Sequence, residues 1–158
     1  NKIQYEKFLE DINIFKTKFS SHKKFIVEEF IKGKELTVST INFSNKIEAL
    51  GVTEIKHDKS FFDYQSKYSK GLAKHILPAQ ITKKNYEKCL NLAIRAHSLL
   101  GCKSIARTDF ILNTNNNKIY FLETNSQPGL TSVSLLPEQA KFKKISFSEI
   151  ILNIIQNT

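Results

Sequence analysis

Apolar residues recur along this chain with two periods. Tyr5, Phe8, Leu9, Ile12, Phe15 and Phe19 fall at helical spacing with Glu and Lys between them, which predicts an amphipathic helix with one buried stripe. Ser20, Ser21 and the basic run His22-Lys23-Lys24 close it. Residues 25–31 and 35–43 read as strands joined by a tight turn at Lys32-Gly33-Lys34, and residues 46–55 read as a third strand in which Gly51 marks a bulge or close approach. Residues 56–77 are expected to form a long loop whose aromatic side chains argue for packing. Thr82 caps a helix running to about Leu100, with Tyr86, Cys89, Leu90, Ala93, Ala96 and Leu100 inward and Gly101 as its stop. Residues 104–112 and 118–125 form a hairpin around the polar turn 113–117. Pro137 opens a short helix, and residues 147–155 form an amphipathic terminal helix. Together these elements predict an α+β fold, mainly an antiparallel sheet flanked by helices.

The second hairpin carries the chemistry. Arg107, Asp109, Glu123 and Asn125 have positions of one parity, so on each strand they share a face. A turn centred near Asn116 sets Asp109 opposite Glu123 and Arg107 opposite Asn125, gathering two carboxylates, an amide oxygen and a guanidinium on one patch. Facing carboxylates repel unless a cation lies between them. Mg²⁺ takes oxygen ligands, uses one or two protein carboxylates and completes its shell with water and phosphate, while an arginine beside it offers forked donors to phosphate. Spacing alone leaves this site and a surface hairpin with cross-strand Arg–Asp pairing as equal alternatives. The helix at 82–100 should pack on the sheet face opposite the patch.

Charge narrows the function classes. Lys and Arg number 24 against 15 Asp and Glu in 158 residues, a formal +9, yet the lysines are scattered, with no basic run or aromatic interleaving of the RNA-binding kind. Lys, Asn, Ile and Phe are abundant, as an AT-rich coding sequence favours, so most of the basicity is assigned to solvated faces and the rest to a phosphate site. No apolar run is long enough for a membrane span, and no signal-peptide pattern opens the chain. Cys89 and Cys102 lack metal spacing and read as reduced thiols of a cytoplasmic protein. His22, His75 and His97 are assigned no chemical role. The chain contains no methionine and begins at Asn1 in what reads as mid-domain, so it is expected to be a piece of a longer protein.

RTDF at 107–110 and FLETNSQPGLTSVSLLP at 121–137 together resemble the pattern that closes the ATP-grasp domain of D-alanine–D-alanine ligases, R-[VI]-D-F then L-E-x-N-x-x-P-G-[ML]-T-x-x-S-L-x-P. VEEFIKGKE at 27–35 resembles the V-E-x-[FW]-[IL]-x-G-x-E segment of the same ligases, and FFDYQSKY at 61–68 resembles their F-[YF]-D-Y-x-x-K-Y lid. The resemblance runs collinearly from about Phe25 to the end and implies the C-terminal lobe of an ATP-grasp domain. It implies that Glu28, Glu29, Phe30 and Ile31 line an adenine pocket and that Glu35 accepts from the ribose. Lys67 would contact nucleotide or transferred phosphate, and Tyr68 would join hydrogen bonds near the D-alanine sites, its tyrosine favouring a dipeptide over a D-lactate product. Asp109, Glu123 and Asn125 would hold two Mg²⁺ or Mn²⁺ ions on ATP. Arg107 would stabilise the transferring phosphoryl group and the tetrahedral intermediate, Gly129 would offer a backbone N–H, and Ser134 and Leu135 would receive the carboxylate of the second D-alanine.

The implied activity is ATP-dependent synthesis of D-alanyl-D-alanine for peptidoglycan precursors, with D-alanine and ATP as partners, no nucleic acid or membrane, and a cytoplasmic homodimer at full length. Thr108 departs from the pattern where an aliphatic residue is usual, Leu130 where methionine is common, and Ser126-Gln127 where a Thr-x pair is usual. The family's N-terminal domain and its glycine-rich loop have no counterpart among the five glycines here, so the 158-residue chain alone is expected to lack ligase activity. Rival classes are another ATP-grasp carboxylate–amine ligase, such as a D-alanine–D-lactate type, and a basic nucleic-acid-binding module.

Overall fold

The computed structural model describes residues 10, 11, 13, 28–57 and 73–157. The chain divides into two compact units, Asn1–Phe30 and Ile31–Thr158. In the first unit Glu10, Asp11 and Asn13 are helical, in line with the first predicted helix, whose apolar stripe lies outside the described residues.

The second unit is built on one antiparallel sheet. In chain order its elements are β1 (Gly33–Phe43), β2 (Lys46–His57), β3 (Ala73–Ile76), α1 (Lys83–Leu99), β4 (Ile105–Asn113), β5 (Ile119–Asn125), α2 (Leu135–Phe142) and α3 (Phe147–Gln156). The sheet order is β3-β2-β1-β4-β5, and every neighbouring pair is antiparallel. The expected fold class is therefore observed. Ser44 and Asn45, both at positive φ, make the two-residue turn between β1 and β2, the backbone form that matches the twist of paired strands.

Alternation along the strands sends apolar side chains to both faces. Leu36, Val38, Val52, Phe110 and Leu112 meet Ala79, Cys89 and Ala93 on one side, and Ile41, Leu50 and Ile105 meet Leu136, Ala140 and Ile150 on the other. One face is thus covered by α1 and the other by α2 and α3, with the sheet as the middle layer. Thr82 caps α1 by accepting from the Asn85 N–H, and Gly101 at φ 65° ends it, as expected. The buried stripe of α1 is Asn85, Cys89, Ala93 and His97, so it is rotated from the expected one, and Leu100 is exposed. The rotation has a polar cause: His97 Nδ1 meets Thr40 Oγ1 at 2.8 Å inside the core, and burial lowers the pKa of the imidazole. Burial likewise pushes the Cys89 thiol up to about 11, which leaves it an inert core residue.

Three sequence expectations need correction. Residues 28–32 are not strand, and Gly33 belongs to β1 instead of a turn, paired with Asn113. Both edges of β1 are taken by β2 and β4, and a side chain at Gly33 would collide with the Leu112 carbonyl, while residues 25–27 of the expected strand lie outside the described residues. The end of the long loop is strand β3, which pairs Glu54 with Ile76 and Lys56 with Lys74 on β2. The remainder of that loop, with Lys67 and Tyr68, lies outside the described residues.

Gly51 sits at a bulge, as its position suggested. Ser39 opposes Gly51 while Thr40 opposes Ala49, leaving Leu50 as the extra residue. The disrupted ladder frees the Ser39 N–H, which donates to Gln139 Oε1 at 2.7 Å, while Gln139 Nε2 donates to the Thr37 carbonyl at 3.2 Å and to Thr53 Oγ1 at 2.9 Å. This fully buried amide rivets α2 to the middle of the sheet. Gln139→Leu, which fills the same space without the amide, is expected to destabilise the chain by about 1–3 kcal/mol because the Ser39 N–H stays buried without a partner. Chemical denaturation checks it; an unchanged midpoint and slope would show that the bulge does not depend on this amide.

Candidate functional site

The register of β4 and β5 places Arg107 opposite Asn125 and Asp109 opposite Glu123, the pairing expected from parity. The turn, however, runs Asn113 N–H to the Lys118 carbonyl at 2.9 Å, with Asn117 at φ 57° and the Asn113 side chain accepting from the Asn115 and Asn116 N–H groups. That turn pairs Phe110 with Phe121, Ile111 with Tyr120 and Leu112 with Ile119, a register that would have set Asp109 against Leu122. Leu122 is instead an extra residue in β5, and this bulge brings Glu123 to Asp109.

The patch extends across three strands. On β1, Thr37 opposes Asp109 and Ser39 opposes Arg107, while Glu35, two positions before Thr37, opposes Ile111. Glu35 therefore shares a sheet face with Asp109, and the end of the VEEFIKGKE segment lies beside the hairpin patch. Helix α1 packs on the opposite face, as expected, and α2 covers the far end of this one.

Asp109 is held by three donors. Arg107 Nε reaches Oδ1 at 3.0 Å and Nη2 reaches Oδ2 at 2.9 Å, a forked pair between two residues of the same strand, one-fifth exposed. The Arg–Asp pairing considered in the sequence thus exists, but along β4 rather than across the hairpin. The Thr37 hydroxyl adds a 2.6 Å bond to Oδ1. Among the described residues none bonds the exposed Glu123 carboxylate, while Asn125 Oδ1 accepts from the Gln127 N–H at 2.8 Å and keeps a second lone pair. The open donors are all hard oxygens, few in number and facing solvent. That suits a cation completing its shell with water and phosphate; among the described residues no group of three or more His, Cys, Asp or Glu that could hold a metal ion by itself occurs.

The loop after β5 leads to the other expected residues. Ser134 is the N-cap of α2, yet its hydroxyl does not cap; it turns back to the Thr131 N–H at 3.1 Å and the Thr131 hydroxyl at 2.8 Å. Leu135 opens the helix, so its N–H points out of the helix start. A side chain at Gly129 would lie 2.8 Å from Ser134 Oγ, so glycine lets these two segments approach. Glu28, Glu29 and Phe30 are exposed and belong to the first unit, while Ile31 is half-buried at the start of the second.

Two residues of this face escaped the sequence reading, Thr37 and Gln139. Thr37 shares parity with Glu35, but its contact with Asp109 spans 72 residues and depends on knowing that β1 lies beside β4. His75, assigned no role, pairs with Glu138 at 2.8 Å and ties β3 to α2. Among the described residues no helix is long and apolar enough to cross a membrane.

Residues 2–156 match the family model described as D-ala D-ala ligase C-terminus. A D-alanine–D-alanine ligase of Wolbachia pipientis is 42% identical over 137 residues, covering 86% of this chain and 42% of the relative. Among solved structures, a Bacillus anthracis D-alanine–D-alanine ligase complexed with ATP aligns with a TM-score of 0.72 at 28% identity, covering 94% of this chain and 47% of that one. A D-Ala:D-Ser ligase from Enterococcus faecalis aligns with a TM-score of 0.68 at 31% identity, covering 82% of this chain and 37% of that one. The chain spans less than half the length of each of these relatives.

Proposed function

The chain belongs to the D-ala D-ala ligase C-terminus family, and from that premise we propose that it is the ATP- and Mg²⁺-binding portion of a ligase that joins two D-alanines. One observation carries the reading: Glu35, Arg107, Asp109, Glu123 and Asn125, drawn from three strands, lie on one face of the sheet. In the reaction a D-alanine carboxylate oxygen attacks the γ-phosphorus of ATP and ADP leaves. The amine of the second D-alanine then attacks the acyl phosphate, and phosphate leaves as the peptide bond forms.

Each residue has a task in that sequence. Glu28, Glu29, Phe30 and Ile31 enclose the adenine, and Glu35 accepts from ribose hydroxyls. Asp109, Glu123 and Asn125 hold two Mg²⁺ or Mn²⁺ ions, which supply charge neutralisation between triphosphate and carboxylate. Arg107, whose Nε and Nη2 hold Asp109, offers its guanidinium charge and outer N–H groups to the transferring phosphoryl group and to the oxyanion of the tetrahedral intermediate. The Gly129 N–H donates in the same region, and Ser134 with the Leu135 N–H at the start of α2 takes the carboxylate of the second D-alanine, where the helix dipole favours an anion. From the lid, Lys67 contacts nucleotide or transferred phosphate and Tyr68 joins hydrogen bonds near the D-alanine sites, while the closed lid excludes water from the acyl phosphate. The complete enzyme is proposed to act in the cytoplasm as a homodimer, for peptidoglycan precursor synthesis, with D-alanine and ATP as its partners and neither nucleic acid nor membrane.

The likeness to a D-Ala:D-Ser ligase makes the second substrate the point to test. A complete ligase carrying this chain, given Mg²⁺-ATP with D-alanine alone or with D-serine or D-lactate, is expected to release phosphate with D-alanine alone and yield a product with the mass of D-alanyl-D-alanine. A dominant D-alanyl-D-serine or D-alanyl-D-lactate product would contradict the assignment. The 158-residue chain alone should release none.

A further inference from the structure

We propose that Thr37 is a positioning residue for the metal site, fixing the Asp109 carboxylate so that one lone pair of Oδ2 remains open to a divalent cation. The inference rests on the metal reading above and extends it to a residue that touches neither metal nor nucleotide. An ionised carboxylate offers about four lone-pair sites. Three are filled in Asp109: on Oδ1 by the Thr37 hydroxyl at 2.6 Å and by Arg107 Nε at 3.0 Å, and on Oδ2 by Arg107 Nη2 at 2.9 Å. Oδ1 is therefore saturated, and the last site, on Oδ2, is the one left for an ion. Without the hydroxyl, Oδ1 would regain a free lone pair, and the carboxylate would pivot about the Arg107 fork.

Thr37 is built to hold that bond still. Its side chain is fully buried at the centre of the sheet, paired with Thr53 on β2 and Asp109 on β4. A β-branched side chain has few χ1 states in a strand, so the hydroxyl has little freedom to swing away. The Thr37 carbonyl accepts from Gln139 Nε2, and Gln139 also donates to the neighbouring Thr53 hydroxyl, so the residue is anchored through its backbone to α2. The same helix begins at Ser134 and Leu135, the proposed carboxylate site. Thr37 thus links the strand that carries Glu35, the carboxylate that meets the metal, and the helix that receives the second substrate.

The test compares Thr37→Val, which keeps the shape and removes the hydroxyl, with Thr37→Ser, which keeps the hydroxyl. Mn²⁺ affinity is read by electron paramagnetic resonance on the complete ligase carrying this chain, with a non-hydrolysable ATP analogue present, and unfolding is measured separately without metal. Thr37→Val should weaken Mn²⁺ binding about tenfold, the worth of one hydrogen bond to a charged group, while Thr37→Ser stays within about threefold of wild type. A purely structural role would lower the unfolding midpoint equally in both variants and leave the Mn²⁺ affinity of the folded protein unchanged, which would overturn the proposal. So would a Thr37→Ser variant that loses as much affinity as Thr37→Val, and this comparison holds even if the valine variant folds poorly. Wild-type enzyme that holds no Mn²⁺ would overturn the metal reading as a whole; wild type that binds, matched by Thr37→Val, would overturn the role of Thr37 alone.

Discussion

Arg107→Ala is expected to lower ATP-dependent phosphate release in the complete ligase by about 10³-fold or more, the range in which an arginine stabilises a transferring phosphoryl group. Arg107 lies beside Asp109 on β4 and opposite Asn125 on β5, where a planar fork can reach both a phosphate and a carboxylate. Its loss has a second consequence, because two of the three donors on Asp109 come from it. The Asp109 carboxylate then turns more freely, and metal affinity falls along with the chemical step. Arg107→Lys keeps the charge but not the fork, so it should recover only a minor part of the rate. Single-turnover kinetics with urea unfolding in parallel separate these effects from stability: the pair is only one-fifth exposed, so the alanine variant should also unfold at lower urea, and its rate is compared where it remains folded. A variant that keeps turnover within tenfold of wild type would remove Arg107 from the transition state.

Glu123→Gln should be almost as damaging while costing the fold nothing. Glu123 is exposed and, among the described residues, bonded to none, so the isosteric amide leaves β5 and its bulge intact. What it removes is one of the two charges proposed to face the metal. Even partners that only orient a metal ligand are worth 10–100-fold, so loss of a ligand charge should cut turnover at fixed Mg²⁺ by at least about a hundredfold. Raising Mg²⁺ should recover part of that loss, since the defect lies in affinity as well as in chemistry. Steady-state rates across a Mg²⁺ titration check it; an unchanged half-saturation would place the ion elsewhere.

The hairpin was legible because period-2 alternation is a local property. Arg107, Asp109, Glu123 and Asn125 share parity, and the asparagine-rich turn between them is plain in the sequence. The mechanism of their register was not legible. The turn alone sets Phe110 against Phe121, and only the unforeseen bulge at Leu122 restores Asp109 to Glu123. Gly51 gave its bulge away, since a glycine in a strand signals a kink or close approach, whereas Leu122 looks like any strand leucine. Gly33 misled for the same reason reversed: glycine fits both a turn and a strand crowded by a neighbouring carbonyl, and here the Leu112 backbone decides. The contacts of Thr37 and Gln139 join residues 72 and 102 positions apart, and no local pattern encodes them. The rotation of α1 toward His97 was hidden because a histidine reads as polar, while Thr40 supplies the partner that makes its burial tolerable.

The most direct measurement is an anomalous difference map from crystals of the complete ligase carrying this chain, grown with ADP and Mn²⁺. A peak is expected within about 2.0–2.3 Å of Asp109 Oδ2 and of a Glu123 carboxylate oxygen, with nucleotide phosphates completing its shell. Arg107 and Glu35 should lie on the same side of the sheet as that peak, at the phosphate and ribose ends of the nucleotide. A nucleotide and its ion bound on the α1 face, or a peak that touches neither Asp109 nor Glu123, would contradict it.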